Sequence, residues 1–396
     1  MRKPLCFLLL LCLLAAVPGR ACAAPVVTAE AAVLINAQTG QVLYAQNADR
    51  KMYPASTTKI LTAIIALEQG DPDDWVTTSV NARATAGTSL YLEVGEEETL
   101  RDLLYALLLR SANDAAVAIA EHIAGSADAF VAAMNAKAAV LRATDSNFTN
   151  PHGLHDEAHY STARDLARLA AYALQNPAFR EIVATRQTTM PWPGEEWDRT
   201  LDNLNQLLST YKGATGVKTG YPTQAGQCLV ASAARAETEL IAVVLKTVGN
   251  NVWTDAAALL DYGFTAFTTS PAVSAGEAVT ELKIPFAGST RLLAAATLPV
   301  SREPDREPLI GREITVTRGK TPVQAGDVVG RMDVTVDGTP VGAVDLVAES
   351  AVTRQFYTRW WFWLLLLFLI FRLDVFRRRW RRRYYRRYTY IGSRYR

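Results

Sequence analysis

Ser56 and Lys59 stand three residues apart in Ser56-Thr57-Thr58-Lys59, the spacing that sets a hydroxyl and an amine on one face of a helix. Ser111-Ala112-Asn113 follows 55 residues after Ser56, and Lys218-Thr219-Gly220 comes 107 residues after Ser111. Acyl transfer through a serine ester needs a nucleophile beside an amine base, a polar relay, and a cationic anchor at a strand edge. The three strings supply these parts in order. A chain of this length should hold roughly one chance S-x-x-K and one chance S-x-N, but only about a tenth of a K-T-G.

Ser56 opens an apolar stretch, Ile60, Leu61, Ile64, Ile65 and Leu67, that reads as a buried helix over 56–69. A lysine on such a helix is desolvated, and desolvation favours the neutral amine that can take a serine proton. The backbone N–H of Ser56, at the helix start, faces the place where an oxyanion forms. Ser111 and Asn113 fall between helical runs at 100–110 and 114–122, where a hydroxyl can relay a proton and an amide can orient Lys59. Both residue types also favour helix starts, so capping accompanies that role. Lys218, Thr219 and Gly220 lie on a predicted strand edge. The lysine and the threonine hydroxyl suit a substrate carboxylate, the glycine admits an extended peptide, and the Tyr221 N–H is the second oxyanion donor. The tract His152-Gly-Leu-His155-Asp-Glu-Ala-His159 lacks the H-E-x-x-H spacing of a zinc site and reads as a loop near the site; no metal or cofactor is expected.

These parts need a scaffold, and the chain suggests two domains with accessory ends. Arg2 and Lys3, an apolar run at 5–17 and Ala21-Cys22-Ala23-Ala24 read as an export signal over 1–23. A lipoprotein reading of Cys22 ranks below it. Three of the four cysteines lie in that leader. Cys228 alone remains, a buried small hydrophobe that leaves no intramolecular disulfide and no cysteine metal site.

Strand patterns at 32–37 and 41–46, a helical block, then strands at 216–220, 228–234 and 239–247 and a helix at 253–267 describe one sheet closed from both ends. The expected catalytic domain is 24–268, α/β (α+β) with a central antiparallel sheet and an inserted helical half. Short alternating runs between Gly, Pro and Asp turns mark a small all-β domain over 269–353, without a titratable cluster. A spacer or partner-docking role is expected of it.

Residues 360–371 are uninterruptedly apolar, and eleven Arg with one Asp follow from Arg372 to Arg396. The expectation is a membrane segment over 354–376 with an Arg/Tyr-rich cytoplasmic tail over 377–396, which places the body outside. The competing reading is a helix lying on an anionic leaflet. Apart from the tail and the leader, 27 Lys+Arg face 38 Asp+Glu, and this acidic balance argues against nucleic acid as a partner.

Together with Asn150-Pro-His-Gly-Leu154, His159-Tyr-Ser-Thr162 and Ala225-Gly226, the three strings make the chain resemble low-molecular-mass penicillin-binding proteins, the serine-type D-alanyl-D-alanine carboxypeptidases. The resemblance spans about 30–350. It implies a penicillin-binding-protein/β-lactamase-like fold, peptidoglycan stem pentapeptides as substrate, β-lactams as acylating inhibitors, and a place at the bacterial cell membrane with the catalytic domain extracytoplasmic. Carried over by motif, Ser56 is the nucleophile, Lys59 its base, Ser111 and Asn113 the relay and orienting pair, and Lys218, Thr219 and Gly220 the binding edge. Members of the family often carry an Arg where this chain has Gly249-Asn-Asn-Val-Trp253, so carboxylate contact here rests on Lys218 and Thr219. A class A β-lactamase would need a Glu-x-x-Leu-Asn loop, absent between Ser111 and Lys218. Slow release of acylated penicillin is therefore expected. An endopeptidase acting on cross-links and a catalytically idle wall-binding scaffold stay open at this stage.

Overall fold

The computed structural model describes residues 23–221, 226–285, 287–303, 306–317, 322–353 and 359–392; residues 1–22 of the expected leader lie outside them. The central strands are continuous apolar runs buried on both faces, which lets each feed two cores at once. β1 (Ala31–Asn36), β2 (Val42–Gln46), β3 (Ala214–Gly220), β4 (Gln227–Arg235) and β5 (Thr238–Thr247) form one antiparallel sheet in the order β2-β1-β5-β4-β3. The central pair sets Ala31 opposite Leu245 and Asn36 opposite Leu240. Ala31, Val33 and Ile35 then face the helical block, while Ala32 and Leu34 face the other way. A sheet covered on both sides results, as the pattern at the two ends of the region required.

The block on the first face is built on α1 (Lys59–Gln69), preceded by a 3-10 turn at Ala55–Thr58. α1 is buried nearly all round, as its composition implied, but Ser56 sits on the tighter turn rather than on the α-helix itself. α2 (Leu100–Tyr105) runs into a π-helical turn at Ala106–Arg110, and α3 (Asn113–Ala124) follows. α3 stops at Gly125, whose positive φ suits a glycine. Ser126 caps α4 (Ala127–Val140), and Thr162 caps α5 (Ala163–Ala173) through the Asp165 N–H. α6 (Pro177–Ala184) completes the block, and α7 (Asn251–Ala266) covers the far face with Val252, Ala256, Leu259 and Leu260.

The chain divides into two compact units. The first runs through Ser270 and takes in Pro299–Leu309 and Val336–Val341; the second holds Pro271–Leu298, Ile310–Thr335 and Gly342–Arg396. The C-terminal β region contains a five-stranded sheet of β6 (Ala278–Ile284), β7 (Gly288–Ala294), β8 (Ile310–Val316), β9 (Val328–Val336) and β10 (Thr339–Ala348), in the order β6-β7-β10-β9-β8.

The expected membrane-spanning helix needs correction. Among the described residues, no single helix is long and apolar enough to cross a membrane. α8 (Trp360–Gly392) runs straight on from the apolar stretch into the arginines. Its uncharged part, at 1.5 Å per residue, covers only about 18 Å of a ~30 Å hydrocarbon core. Residues 354–358 of the expected segment lie outside the described residues.

Candidate active site

The 3-10 turn, α3, the loop after Asn150 and strand β3 bring most of the expected residues together. Lys59 Nζ lies 3.2 Å from Ser56 Oγ, 2.7 Å from Asn113 Oδ1 and 2.7 Å from the His152 carbonyl oxygen. A neutral amine has two N–H donors and one lone pair. The two short contacts go to atoms that can only accept, so the third direction of the nitrogen, its lone pair, faces the Ser56 hydroxyl. Burial, then the charge of Lys218, holds the Lys59 ammonium well below the usual lysine range, and Asp114 opposes them. This is the electronic state a general base requires.

Asn113 is fixed from behind. Its Nδ2 donates to the Ala86 carbonyl at 2.7 Å and its backbone N–H to the Thr88 carbonyl at 2.7 Å. Asp114, fully buried, accepts from Ser89 Oγ at 2.6 Å and from the N–H groups of Leu90 and Leu92. The strap formed by 86–92 is thus tied to the residue after the motif, a tie that the Ser-Ala-Asn-Asp string hints at only as helix capping.

Ser111 closes the π turn in the left-handed region, φ 64°, and is nearly buried. Its hydroxyl makes no hydrogen bond among the described residues, which leaves it free to turn. Lys218 is buried too, and its Nζ reaches only the Thr219 carbonyl, at 3.1 Å. Burial pushes the Lys218 amine down to about 7. A carboxylate arriving beside it would restore the charge.

Strand β3 is an edge of the sheet, as expected, with Lys218 opposite Val230 and Gly220 opposite Cys228. A Cβ on Gly220 would stand 3.0 Å from Ala55 Cβ and 3.2 Å from both Cys228 Cβ and the Pro54 oxygen. What this glycine admits is the turn that carries Ser56. Cys228 is buried with its thiol pushed up to about 11, which makes it inert as a nucleophile. Tyr221 is exposed, and 222–225 after it lie outside the described residues.

The histidine tract is a wall of the site. His159 Nδ1 accepts from the Thr149 N–H at 3.1 Å, so Nε2 donates to Thr58 Oγ1 at 2.8 Å. His152 Nδ1 accepts from the Leu154 N–H. Burial pushes His159 down to about 4 and His152 to about 3, so both rings are neutral. Among the described residues, no three His, Cys, Asp or Glu side chains gather as metal ligands. The His152 carbonyl is the contact that side-chain reasoning missed: it is a backbone atom, and only the neighbouring Gly153 signals the special conformation that aims it.

Residues 19–249 match the family described as D-alanyl-D-alanine carboxypeptidase, and 267–354 match the C-terminal domain of penicillin-binding protein 5. The carboxypeptidase DacF of Bacillus subtilis is 33% identical over 339 residues, 83% of this chain and 85% of that protein. The carboxypeptidase DacA of Haemophilus influenzae is 30% identical over 368 residues, 86% of this chain and 90% of that one. The solved structure of penicillin-binding protein 5 from Haemophilus influenzae superposes with a TM-score of 0.70 at 29% identity, covering 84% of this chain and 99% of the other. With a serine and a neutral lysine set face to face on this scaffold, the chain belongs to the serine D-alanyl-D-alanine carboxypeptidase family.

Proposed function

We propose that Ser56 is the nucleophile through which this serine D-alanyl-D-alanine carboxypeptidase removes the terminal D-Ala of peptidoglycan stem pentapeptides. The observation that carries the assignment is the Lys59 amine, desolvated and 3.2 Å from Ser56 Oγ with its other two directions occupied. Lys59 takes the hydroxyl proton as Ser56 Oγ bonds to the carbonyl carbon of the penultimate D-Ala. The oxyanion faces the N–H groups of Ser56 and Tyr221, neither of which has a partner among the described residues. Ser111 passes a proton to the departing amine, Asn113 holds Lys59, and Lys218 with Thr219 receives the terminal carboxylate. Gly220 keeps the strand close to the Ser56 turn. Water then cleaves the acyl-enzyme. A β-lactam enters the same route and stays, because the chain has no Glu-x-x-Leu-Asn loop to direct a deacylating water. The test is product analysis on purified muropeptides together with mass mapping of a penicilloyl adduct. Free D-Ala and an adduct on Ser56 are expected. Cleavage of cross-links without D-Ala release from pentapeptides would move the reading to an endopeptidase, and fast penicillin turnover would move it to a β-lactamase.

The ends of the chain carry the place of action. Within the reading above, residues 1–23 act as an export signal, 24–268 as the catalytic domain and 269–353 as a spacer. The tail holds the protein to the outer face of the cell membrane. α8 supports interfacial attachment: Trp360, Trp361, Leu364 and Phe368 are exposed apolar side chains, and the arginines after them complement anionic lipid. The purified full-length chain, mixed with vesicles containing a third anionic lipid, is expected to float with them at low salt. It should float far less with neutral vesicles. Equal recovery on both would refute the charge-assisted attachment.

A further inference from the structure

One hairpin reaches both flanks of Ser111-Ala112-Asn113, and the acyl-transfer chemistry leaves it without a role. Its strands are Gln187–Met190 and Arg199–Asp202. Just past the second strand, the Leu204 N–H donates to the Leu109 carbonyl at 3.2 Å, in the π turn that ends at Ser111. At the loop end of the hairpin, the Arg199 guanidinium packs on the Trp192 ring, 4.8 Å from its centroid. Its Nη1 donates to Glu96 Oε1 at 2.5 Å, and the two side chains are only 4% and 5% exposed.

From Glu96 the connection runs into the strap. Glu96 Oε2 accepts from the Glu93 N–H at 2.8 Å. Before Glu93, the N–H groups of Leu92 and Leu90 and the Ser89 hydroxyl donate to Asp114, while the Thr88 and Ala86 carbonyls accept from Asn113. This conformation is not one the strap adopts unaided. Tyr91 lies in the left-handed region, φ 61°, and its side chain is exposed, so packing of that ring does not impose it. The ties to Asp114 and Glu96 do. Asn113 Oδ1 in turn accepts from Lys59 Nζ at 2.7 Å. A shift at Glu93 is therefore carried through hydrogen-bonded backbone to the amide that orients the base.

Stability alone does not explain the buried pair. Arg199 Nε and Nη2 are buried without a hydrogen-bond partner among the described residues. An enclosed charge with unmet donors gives back much of what its ion pair gains. Burial, then the neighbouring Glu96, pushes the Glu98 carboxyl up towards its neutral form, so a single carboxylate faces the guanidinium. What the pair supplies is a fixed point between hairpin and strap. We propose that Arg199 is a positioning residue for acylation: clasped to Glu96, it sets the strap, and through the strap the Asn113 amide that holds Lys59. The proposal rests on the acyl-transfer reading of Ser56 and adds a residue, outside the three motifs, on which that transfer depends.

Stopped-flow acylation of the full-length chain, with penicillin taken to saturation, separates the rate of the covalent step from the affinity of the complex that precedes it. Arg199→Met combined with Glu96→Gln removes both charges and leaves Glu98 neutral. It keeps an oxygen for the Glu93 N–H but cuts the tie to the hairpin. The covalent step is expected to slow about tenfold, a part of the roughly hundredfold that a 1 Å displacement costs. Affinity should stay within about twofold of the wild type and Tm within about 3 °C, since a buried ion pair replaced as a whole costs little. In an Asn113→Ala background the same two substitutions should cost less than about twofold, because the amide they act through is gone. An equal loss in both backgrounds, or none in the wild type, overturns the proposal. A collapse of Tm assigns the pair to stability and overturns it as well. A wild type that penicillin does not acylate strikes the Ser56 reading and this one with it, whereas wild type and variant acylated at one rate strike the positioning role alone.

Discussion

Lys59→Met is expected to slow acylation of Ser56 by penicillin at least about a thousandfold, the upper part of the range for a positioned general base. Methionine fills the buried volume, but its thioether sulfur is not basic enough to take the Ser56 proton. It also leaves the Asn113 Oδ1 and His152 oxygen contacts unmade, both 2.7 Å from Nζ in the wild type. The wild-type pH profile checks the same claim from the other side. A base acts above its folded pKa and loses its effect as pH falls through that value. Burial lowers Lys59 well below 10.5, so the acid limb must lie far below the ordinary lysine range. In the proposed reading Lys218 binds the carboxylate in its charged form, which the free enzyme loses as pH rises through about 7. The kcat/KM for a peptide with a free carboxylate should therefore follow a bell whose alkaline limb begins near neutrality. A substrate lacking that carboxylate should keep the acid limb only. A rate that climbs steadily to pH 10 with both substrates would be incompatible with a neutral Lys59. Stopped-flow acylation and D-Ala release across pH 5 to 10 measure all of these limbs.

Gly153→Ala should be nearly as damaging, although this residue has no side chain and touches no substrate. Gly153 holds φ at +87°, and a Cβ there would stand 1.9 Å from the Ala55 oxygen and 3.0 Å from the Ser56 nitrogen. Both contacts are backbone, so relief requires moving either the turn that carries Ser56 or the His152 carbonyl that holds Lys59. Strain of this kind costs about 3 kcal/mol or more, which lowers Tm by roughly 6 to 12 °C in a domain of this size. A displacement of about 1 Å at the nucleophile costs on the order of a hundredfold in rate. Gly95→Ala is the control: it shares the positive φ of +84°, but its Cβ would meet nothing within 4 Å. It should lose about 1 kcal/mol and leave acylation untouched. Differential scanning fluorimetry with acylation kinetics on both variants separates steric conflict from backbone strain. Equal behaviour of the two would refute the account.

The parts that depend on side-chain type and period were legible. The buried helix behind Lys59 followed from Ile60, Leu61, Ile64 and Ile65, and the sheet closed from two ends followed from strand runs placed on either side of a helical block. The strands missed were those too short or too mixed to show a period, among them Trp75–Thr77 with Glu97–Thr99, Gln187–Met190 with Arg199–Asp202, Thr268–Val273, Gly288–Ala294 and Leu298–Arg302. The π turn at Ala106–Arg110 was invisible because Ala-Leu-Leu-Leu suits an α-helix equally well. At the site, Ser56, Lys59 and Asn113 were legible through their chemistry. The His152 oxygen and the strap that holds Asn113 were not, because backbone atoms leave no letter in a sequence. Gly220 was legible as a close approach, but its nearest neighbour is the enzyme's own Ala55. The spanning helix was expected from an apolar run carried past its flanking arginines and apolar on every face; among the described residues no single helix is long and apolar enough to cross.

The order of strands in the first sheet carries a consequence for the making of the protein. β1 and β2 come early in the chain, yet β1 pairs with β5, and Lys59 is enclosed only by residues from 113, 152 and 218. Between Gln46 and Thr247 lie about 200 residues, which a ribosome working at 5–20 residues per second needs roughly 10–40 s to supply. For all of that time Ser56 is an ordinary hydroxyl beside an ordinary, hydrated, protonated lysine. The nascent chain is born inert, and it stays so for as long as it remains unfolded. The reactive pair comes into being only when the last strand docks, so the topology itself acts as a timer on the chemistry.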